Sequence, residues 1–387
     1  MKRILIALPI LAALALGLFL VFGPAIADDR MNPVTVHDPY PVSDAARALH
    51  GTLVVGDWHA DALLWNRDLL ERNDRGHVDL PRLIEGNVAL QVFTAVTKSP
   101  RGLNYEENAT DAPDDITLLA MGQLWPLRTW GSLLERALYQ AEKLQGFVER
   151  SDGRLRLIAS EADLDAVLDA RAAGETVVGA LLGIEGAHPL EGELGNLDRL
   201  EAAGYRLIAL QHFFDNELGG SLHGTGEEGL SDLGRALVAE VEARGMVLDI
   251  AHSSPQVVRD VLAMTDMPLV LSHGGIDSHC PSPRNLPDAL MTEIAATGGV
   301  LGIGYWADVI CDDMPAGIAA AILAAVEVMG VEGVSLGSDF DGTVRVALDT
   351  SELAAITSAL LDAGMEEADI ALVMGENMVR VLRARLD

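Results

Sequence analysis

TLVVGDWHADALLW, residues 52–65, runs from an apolar stretch straight into a histidine and an aspartate two positions apart. The apolar part reads as a strand. Alternate side chains on a strand point the same way, so His59 and Asp61 share one face. Two such polar groups facing a packed interior need something to hold. Seven further apolar runs follow, at 87–96, 176–185, 205–212, 246–252, 268–273, 299–306 and 333–339. All are nearly unbroken in Val, Leu, Ile and Gly, as parallel strands buried on both faces are.

Helical patterns separate most of these runs. SDAARALH takes Ser43 as its cap, LSDLGRALVAEVEARG takes Ser231, and SPQVVRDVLAM places Ser254 before Pro255. NLPDALMTEIAATGG and MPAGIAAAILAAVEVMG each end in glycine, and TSELAAITSALLDAG and ENMVRVLRARL close the chain. Eight strand-like runs alternating with helices predict an α/β fold, a (β/α)8 TIM-like barrel rather than a doubly wound sheet with a small second domain. The interval 97–175 exceeds the repeating unit and reads as a helical insertion between strands 2 and 3. It would either shape a pocket over the barrel mouth or pack outside it. Asn108, in NAT, matches a short glycosylation pattern.

The 387 residues are 49% hydrophobic and carry a formal charge of −31, from 58 acidic and 27 basic residues. That supports a large core and argues against a nucleic-acid or anionic-lipid surface, since both need basic faces. Cys280 and Cys311 make no disulfide framework and no CxxC pair; two separate buried thiols are preferred over a single bridge. At the start, Lys2 and Arg3 precede an apolar run over residues 4–24, then Ala25-Ile26-Ala27 and two aspartates. This reads as a signal peptide cleaved near Ala27 or a retained membrane anchor, with nothing to separate the two. The charge asymmetry places the rest outside the cytoplasm, periplasmic or at the cell surface. The expected division is residues 1–29 as signal or anchor, 30–50 as leader and short helix, and 51–387 as catalytic barrel.

Polar residues close six of the eight runs: His59 and Asp61 the first, Glu185 the third, His212 the fourth, His252 the fifth, His273 the sixth and Asp339 the eighth. Barrels carry active sites at this carboxyl face. A lone histidine ending a strand is ordinarily a satisfied core or loop residue; Asp57 and Asp341 read as turn holders, and His188, His223 and His279 as loop residues. The set is different, because three carboxylates and four imidazoles buried together without a cation face a heavy desolvation cost. Imidazole and carboxylate ligands without thiolate suit Zn2+ or another divalent transition ion. The groups are too many for one tetrahedral site and divide into two. Two ions sharing a hydroxide perform hydrolysis, with no organic cofactor.

At this point the chain resembles the membrane, or renal, dipeptidase family of dinuclear zinc peptidases (peptidase family M19), related to the amidohydrolase-type, metallo-dependent hydrolase barrels. The resemblance rests on DWHADALLW, GIEGAHPL, RLIALQHFFDN, GLSDLGRALVAEVEARGMVLDIAHSS, PLVLSHGG, CPSPRNLPDAL, LGSDFDG and GENMVRVL, in the family's order over roughly residues 50 to 385. It implies a dipeptidase with two Zn2+ bridged by Glu185 and a hydroxide. His59, Asp61 and Glu185 would hold one ion, and Glu185, His252 and His273 the other. It further implies His212 as a catalytic, substrate-polarising histidine, Arg284 as the residue binding the substrate carboxylate, and Asp339 as the proton carrier. Trp58, Ala60 and Ala187 depart from the family pattern without removing a ligand. The partner implied is a small dipeptide, with no nucleic acid; N-terminal membrane anchoring and a homodimer stay open. The rival activities are a dinuclear amidohydrolase acting on N-acyl amino acids, lactams or lactones, and an inactive metal-binding extracytoplasmic protein.

Overall fold

The computed structural model describes residues 17, 18, 20, 22–226 and 228–387. Most of the apolar run at 4–24, and so the choice between signal and anchor, lies outside them. Among the described residues no helix is long and apolar enough to cross a membrane.

The strands are β1 (Val55–Ala60), β2 (Val88–Val96), β3 (Leu155–Leu157), β4 (Val178–Glu185), β5 (Tyr205–Ala209), β6 (Val247–Asp249), β7 (Val270–Gly274), β8 (Val300–Ile303) and β9 (Val334–Leu336). All pair in parallel in the order β1-β2-β4-β5-β6-β7-β8-β9, with β3 added at the side of β4. The ring closes through a parallel bridge between Ala60 and Phe340, where Asp61 N donates to Phe340 O at 2.8 Å. The eight expected runs are these eight ring strands, and the (β/α)8 barrel is as predicted.

Every residue of β1, β2 and β4 is buried, because the strands pack side chains on both faces. The predicted caps form: Ser231 Oγ accepts from Gly234 N at 3.0 Å and Ser254 Oγ from Val257 N at 3.1 Å. Each such cap contributes about 1 kcal/mol. Ser43 caps Asp44–His50 in the same way.

Three findings depart from the sequence reading. First, β5, β6 and β9 stop at Ala209, Asp249 and Leu336, so His212, His252 and Asp339 lie on turns beyond the strands. His252 and Asp339 adopt left-handed backbone, φ 60° and 59°, which no strand allows. Second, Cys280 and Cys311 form a disulfide across a Cα separation of 5.5 Å, correcting the preference for separate thiols. The bridge ties the segment carrying Arg284 to the turn after β8. Third, the insertion holds the short strand β3 besides its helix Leu133–Arg150. It does both things expected of it: Ser99, Leu103 and Tyr105 line the mouth, while the helix packs outside. Asn108 is buried there, its Nδ2 donating to Asn104 O and His223 O, so it presents no acceptor for a glycan.

Candidate active site

The register carries the ligands to one point. β2 and β4 pair without a break from Leu90–Gly179 to Val96–Glu185, which sets Glu185 at the rim. The β1–β2 and β7–β8 ladders slip between Asp57 and Ala60 and between Leu271 and Gly274, at the strand residues His59 and His273. Such irregularities are found at barrel rims, where they re-aim a side chain.

The result is a buried cluster centred on Glu185. Its Oε1 lies 3.1 Å from His252 Nε2, 3.4 Å from His273 Nε2 and 3.5 Å from His59 Nε2; its Oε2 lies 3.3 Å from His212 Nε2. Asp61 Oδ1 is 3.5 Å and Asp339 Oδ1 3.8 Å from His59 Nε2. All seven strand-end groups predicted from sequence therefore meet. His59, Asp61 and Glu185 offer ligand atoms within 4.8 Å of one another, as do Glu185, His212 and His252, and His59, His273 and Asp339.

The surroundings hold the rings in place for ligation. Ser272 Oγ lies 3.3 Å from His59 Nδ1 and 2.8 Å from His273 Nδ1, and its own hydroxyl bonds Asp249. Ser272 can accept from both rings, which leaves both Nε2 atoms to face Glu185. His212 gives its Nδ1 proton to Lys98 O at 3.0 Å, freeing Nε2. Thr94 Oγ1 donates to Asp61 Oδ1. Asp57, read as a turn holder, accepts from His59 N at 2.9 Å and Ser338 N at 3.1 Å. Gly186 sits at φ 77°, where an added Cβ would lie 2.9 Å from His212 Cβ; only glycine lets β4 turn there.

Protonation follows burial and charge. Burial pushes His252 and His273 well below the ordinary histidine range, helped by the Arg284 charge and the other imidazoles. Burial also brings His212 down to about 4, against the hydrogen bond to Lys98 O. These three are neutral bases with lone pairs to give. His59 goes the other way: burial opposes its charge, but Glu185 and Asp61 outweigh that and lift it to about 10. Burial drives Glu185 well above the carboxylate range and Asp339 up to about 8, although His59 pulls both down. His59 Nε2 has no hydrogen-bond partner. An orphaned buried nitrogen, neutral imidazoles and crowded carboxylates fit a divalent cation, the charge that such a group lacks.

Arg284 reaches the cluster from the segment after β7. It is 2% exposed, donates from Nη2 to His273 O at 3.0 Å and lies 3.3 Å from His252 Nε2. No carboxylate lies within ion-pair distance of it among the described residues. Sequence reasoning did not single out Ser272, Lys98 or Tyr105. Tyr105 OH accepts from Trp306 Nε1 at 3.0 Å and forms part of the cleft wall. Trp58 alternates away as expected, its Nε1 donating to Ser335 Oγ at 3.2 Å. A larger cavity, about 870 Å³, lies at the amino end of the barrel between Leu53, Arg171 and Arg380; no His–carboxylate cluster lies there among the described residues.

Residues 43–386 match the sequence profile of the membrane dipeptidase family, peptidase family M19. The chain belongs to the membrane dipeptidase family. Membership makes the metallodipeptidase class expected from the motifs the class of this chain. The relative dipeptidase verJ of Clonostachys rogersoniana is 28% identical over 319 residues, 80% of this chain and 76% of its own length. Dipeptidase aclJ of Aspergillus oryzae is 33% identical over 219 residues, 53% of this chain, and the match spans only 51% of that relative. Among solved structures, a metallopeptidase of Rhodobacter sphaeroides bound to a phosphinate mimic of L-Ala-D-Ala superposes with a TM-score of 0.71 at 24% identity, over 86% of this chain and 99% of its own. An amidohydrolase of Pseudomonas aeruginosa gives 0.69 at 22% identity, over 88% and 99%. At such identities these structures bear on the fold of this membrane dipeptidase relative, which they share.

Proposed function

We propose that this chain hydrolyses the peptide bond of dipeptides with two zinc ions, held by His59, Asp61 and Glu185 on one side and Glu185, His252 and His273 on the other. The observation that carries the reading is the convergence of four imidazole nitrogens on the single carboxylate of Glu185, within 3.1–3.5 Å. Zinc, when bound, supplies the Lewis acidity that activates water and polarises the scissile carbonyl. Arg284 takes the substrate's terminal carboxylate, for which its planar fork is suited, and no carboxylate among the described residues stands within ion-pair distance of that fork. His212 faces the carbonyl through Nε2; negative charge growing on that oxygen favours a proton there, turning the nitrogen into a donor. Asp339 holds and passes a proton between the attacking water and the leaving amine. The dipeptide mimic on the Rhodobacter metallopeptidase supports this substrate class. Export is supported by the disulfide, which persists in oxidising compartments, and by the charged and apolar start of the chain.

The experiment is kcat/KM for wild type and Arg284→Met on a matched pair, a free-acid dipeptide and its C-terminal amide. Loss of a desolvated charge pair costs roughly 2–5 kcal/mol, about 30- to several-thousand-fold, on the free acid alone. The amide reacts poorly with wild type and loses little more in the variant. Equal losses on both would mean that Arg284 shapes the loop rather than reads the substrate.

A further inference from the structure

The loop after β9 crosses the mouth in an unusual conformation. Asp339, Asp341 and Thr343 alternate in left-handed backbone, at φ 59°, 64° and 65°. None is glycine, and such backbone persists only where the surroundings hold it. Gly342 between them leaves no room beside Asp339: an added Cβ would run into Asp339 Oδ1. Gly342, Thr343 and Val344 all line the catalytic cleft. A shift of this loop therefore moves both the Asp339 carboxylate and the cleft wall.

What holds the loop comes from the segment ahead of the barrel. Asn32, 2% exposed, accepts from Thr343 N through Oδ1 at 2.9 Å and donates from Nδ2 to Asp28 Oδ1 at 2.9 Å. Asp28, also 2% exposed, has Oδ2 at 3.1 Å from both Arg67 Nε and Arg75 Nε. Arg67 Nη2 continues to Asp341 Oδ2 at 2.7 Å. Further on, Thr35 N donates to Val346 O at 2.8 Å and Val346 N to Pro33 O at 3.3 Å. Two of the three left-handed residues are thus tied to residues 28 and 32, Thr343 directly and Asp341 through Arg67.

We infer that Asp28 and Asn32 are positioning residues of the active site, a strap that holds the left-handed loop after β9 and with it Asp339. The inference rests on the proposed role of Asp339 as proton carrier. Cleavage after Ala27 leaves both strap residues in the mature chain; cleavage beyond Asn32 removes them.

The test measures kcat, KM, bound metal and Tm for full-length Asn32→Ala and for Asn32→Asp combined with Asp28→Asn, on one dipeptide, at a temperature well below either Tm. Asn32→Ala keeps its metal and KM while kcat falls between about 10- and 100-fold, the scale of a small misplacement at a reacting centre. Asn32→Asp, made together with Asp28→Asn so that an amide still faces a carboxylate between the two positions, keeps an acceptor facing Thr343 N and regains most of kcat. A wild-type kcat in Asn32→Ala, whatever its Tm, overturns the strap, and so does an equal loss in both variants. Should Asn32→Ala fail to fold, Asp28→Asn is read the same way: a fall in kcat at constant KM and metal upholds the strap, and an unchanged kcat overturns it. Asp339→Asn runs alongside; a wild-type kcat there sinks the role of Asp339 itself, a different failure from that of the strap.

Discussion

Two buried clusters of charge lie on either side of the loop after β9, and they are built to opposite plans. In the outer one, Arg67 stands between Asp28 and Asp341. His77 and Asp341 exchange bonds: Asp341 N donates to His77 Nδ1 at 2.8 Å, and His77 N donates to Asp341 Oδ1 at 2.7 Å. Burial opposes ionisation of Asp341, but Arg67 at 2.7 Å outweighs it and holds the carboxyl below the usual range. Asp28, at 3.1 Å from Arg67, is lifted by burial instead, so the arginine belongs chiefly to Asp341. Cation and anion are nevertheless matched within the cluster. In the inner one, three carboxylates meet imidazoles of which only His59 carries charge, and His59 Nε2 is left without a hydrogen bond. The first cluster balances charge with its own atoms and supports structure, although Arg67 Nε and Nη2, His77 Nε2 and Asp341 Oδ2 also make no hydrogen bond. The second gathers carboxylates with no arginine or lysine paired to them among the described residues, and that imbalance is what suits it to binding metal.

The contrast can be broken from either side, and the inner cluster gives the larger effect. Glu185→Gln removes the carboxylate shared by all four imidazoles while keeping its shape. Metal affinity and several kcal/mol of charge stabilisation go with it, so kcat falls about 10³-fold or more. The fold, read by circular dichroism, stays. A variant with near-wild-type turnover would make Glu185 a structural residue.

For the outer cluster the loss is of stability. Arg67→Met leaves Asp341 buried without a cation and Asp28 with Arg75 alone, which costs roughly 3–5 kcal/mol. Urea unfolding measures it; a shift below about 1 kcal/mol, the range of exposed pairs, would place that network in effective contact with water.

Acid probes both clusters more gently. Burial holds His77 down to about 4 and His188 to about 3, against 6.5 for an unfolded histidine. Between those values the unfolded chain binds protons that the folded chain refuses. Stability is full above pH 6.5 and falls as pH drops towards 4, by roughly 1.4 kcal/mol per unit for each such histidine. In metal-free protein the raised carboxyls of Glu185 and Asp339 act in the opposite direction. Urea midpoints from pH 7 to 4.5, taken in chelator, are therefore compared between wild type and the variants His77→Asn and His188→Asn, and wild type should lose more stability than either. Parallel profiles would mean that these rings titrate normally.

The sequence carried the barrel and the inner cluster further than it carried the outer one, for physical reasons. Parallel strands buried on both faces leave unbroken apolar runs, and a polar residue closing such a run is conspicuous; Glu185 and His273 were found in this way. The same continuity hid where β5 and β6 stop, because Leu210, Ile250 and Ala251 stay apolar in the turns that follow; β9 is followed by Gly337 and Ser338 instead. β3 escaped notice because Leu155–Leu157 is three residues long with an arginine at its centre. The disulfide and the strap depend on proximity across the fold. Nothing near Asp28 in the chain signals Arg67 or Asp341, and nothing near Cys280 signals Cys311. Ser272 looks like any strand serine until two histidine rings are seen to share it.

The most direct test of the inner cluster is its metal content, measured on the same sample as its activity. Elemental analysis of the dialysed protein should give close to two divalent ions per chain, zinc being expected, though such ligands also accept manganese or cobalt. Dipeptide hydrolysis should vanish on chelation and return when zinc is restored. Full hydrolysis by metal-free protein would contradict the account at its centre.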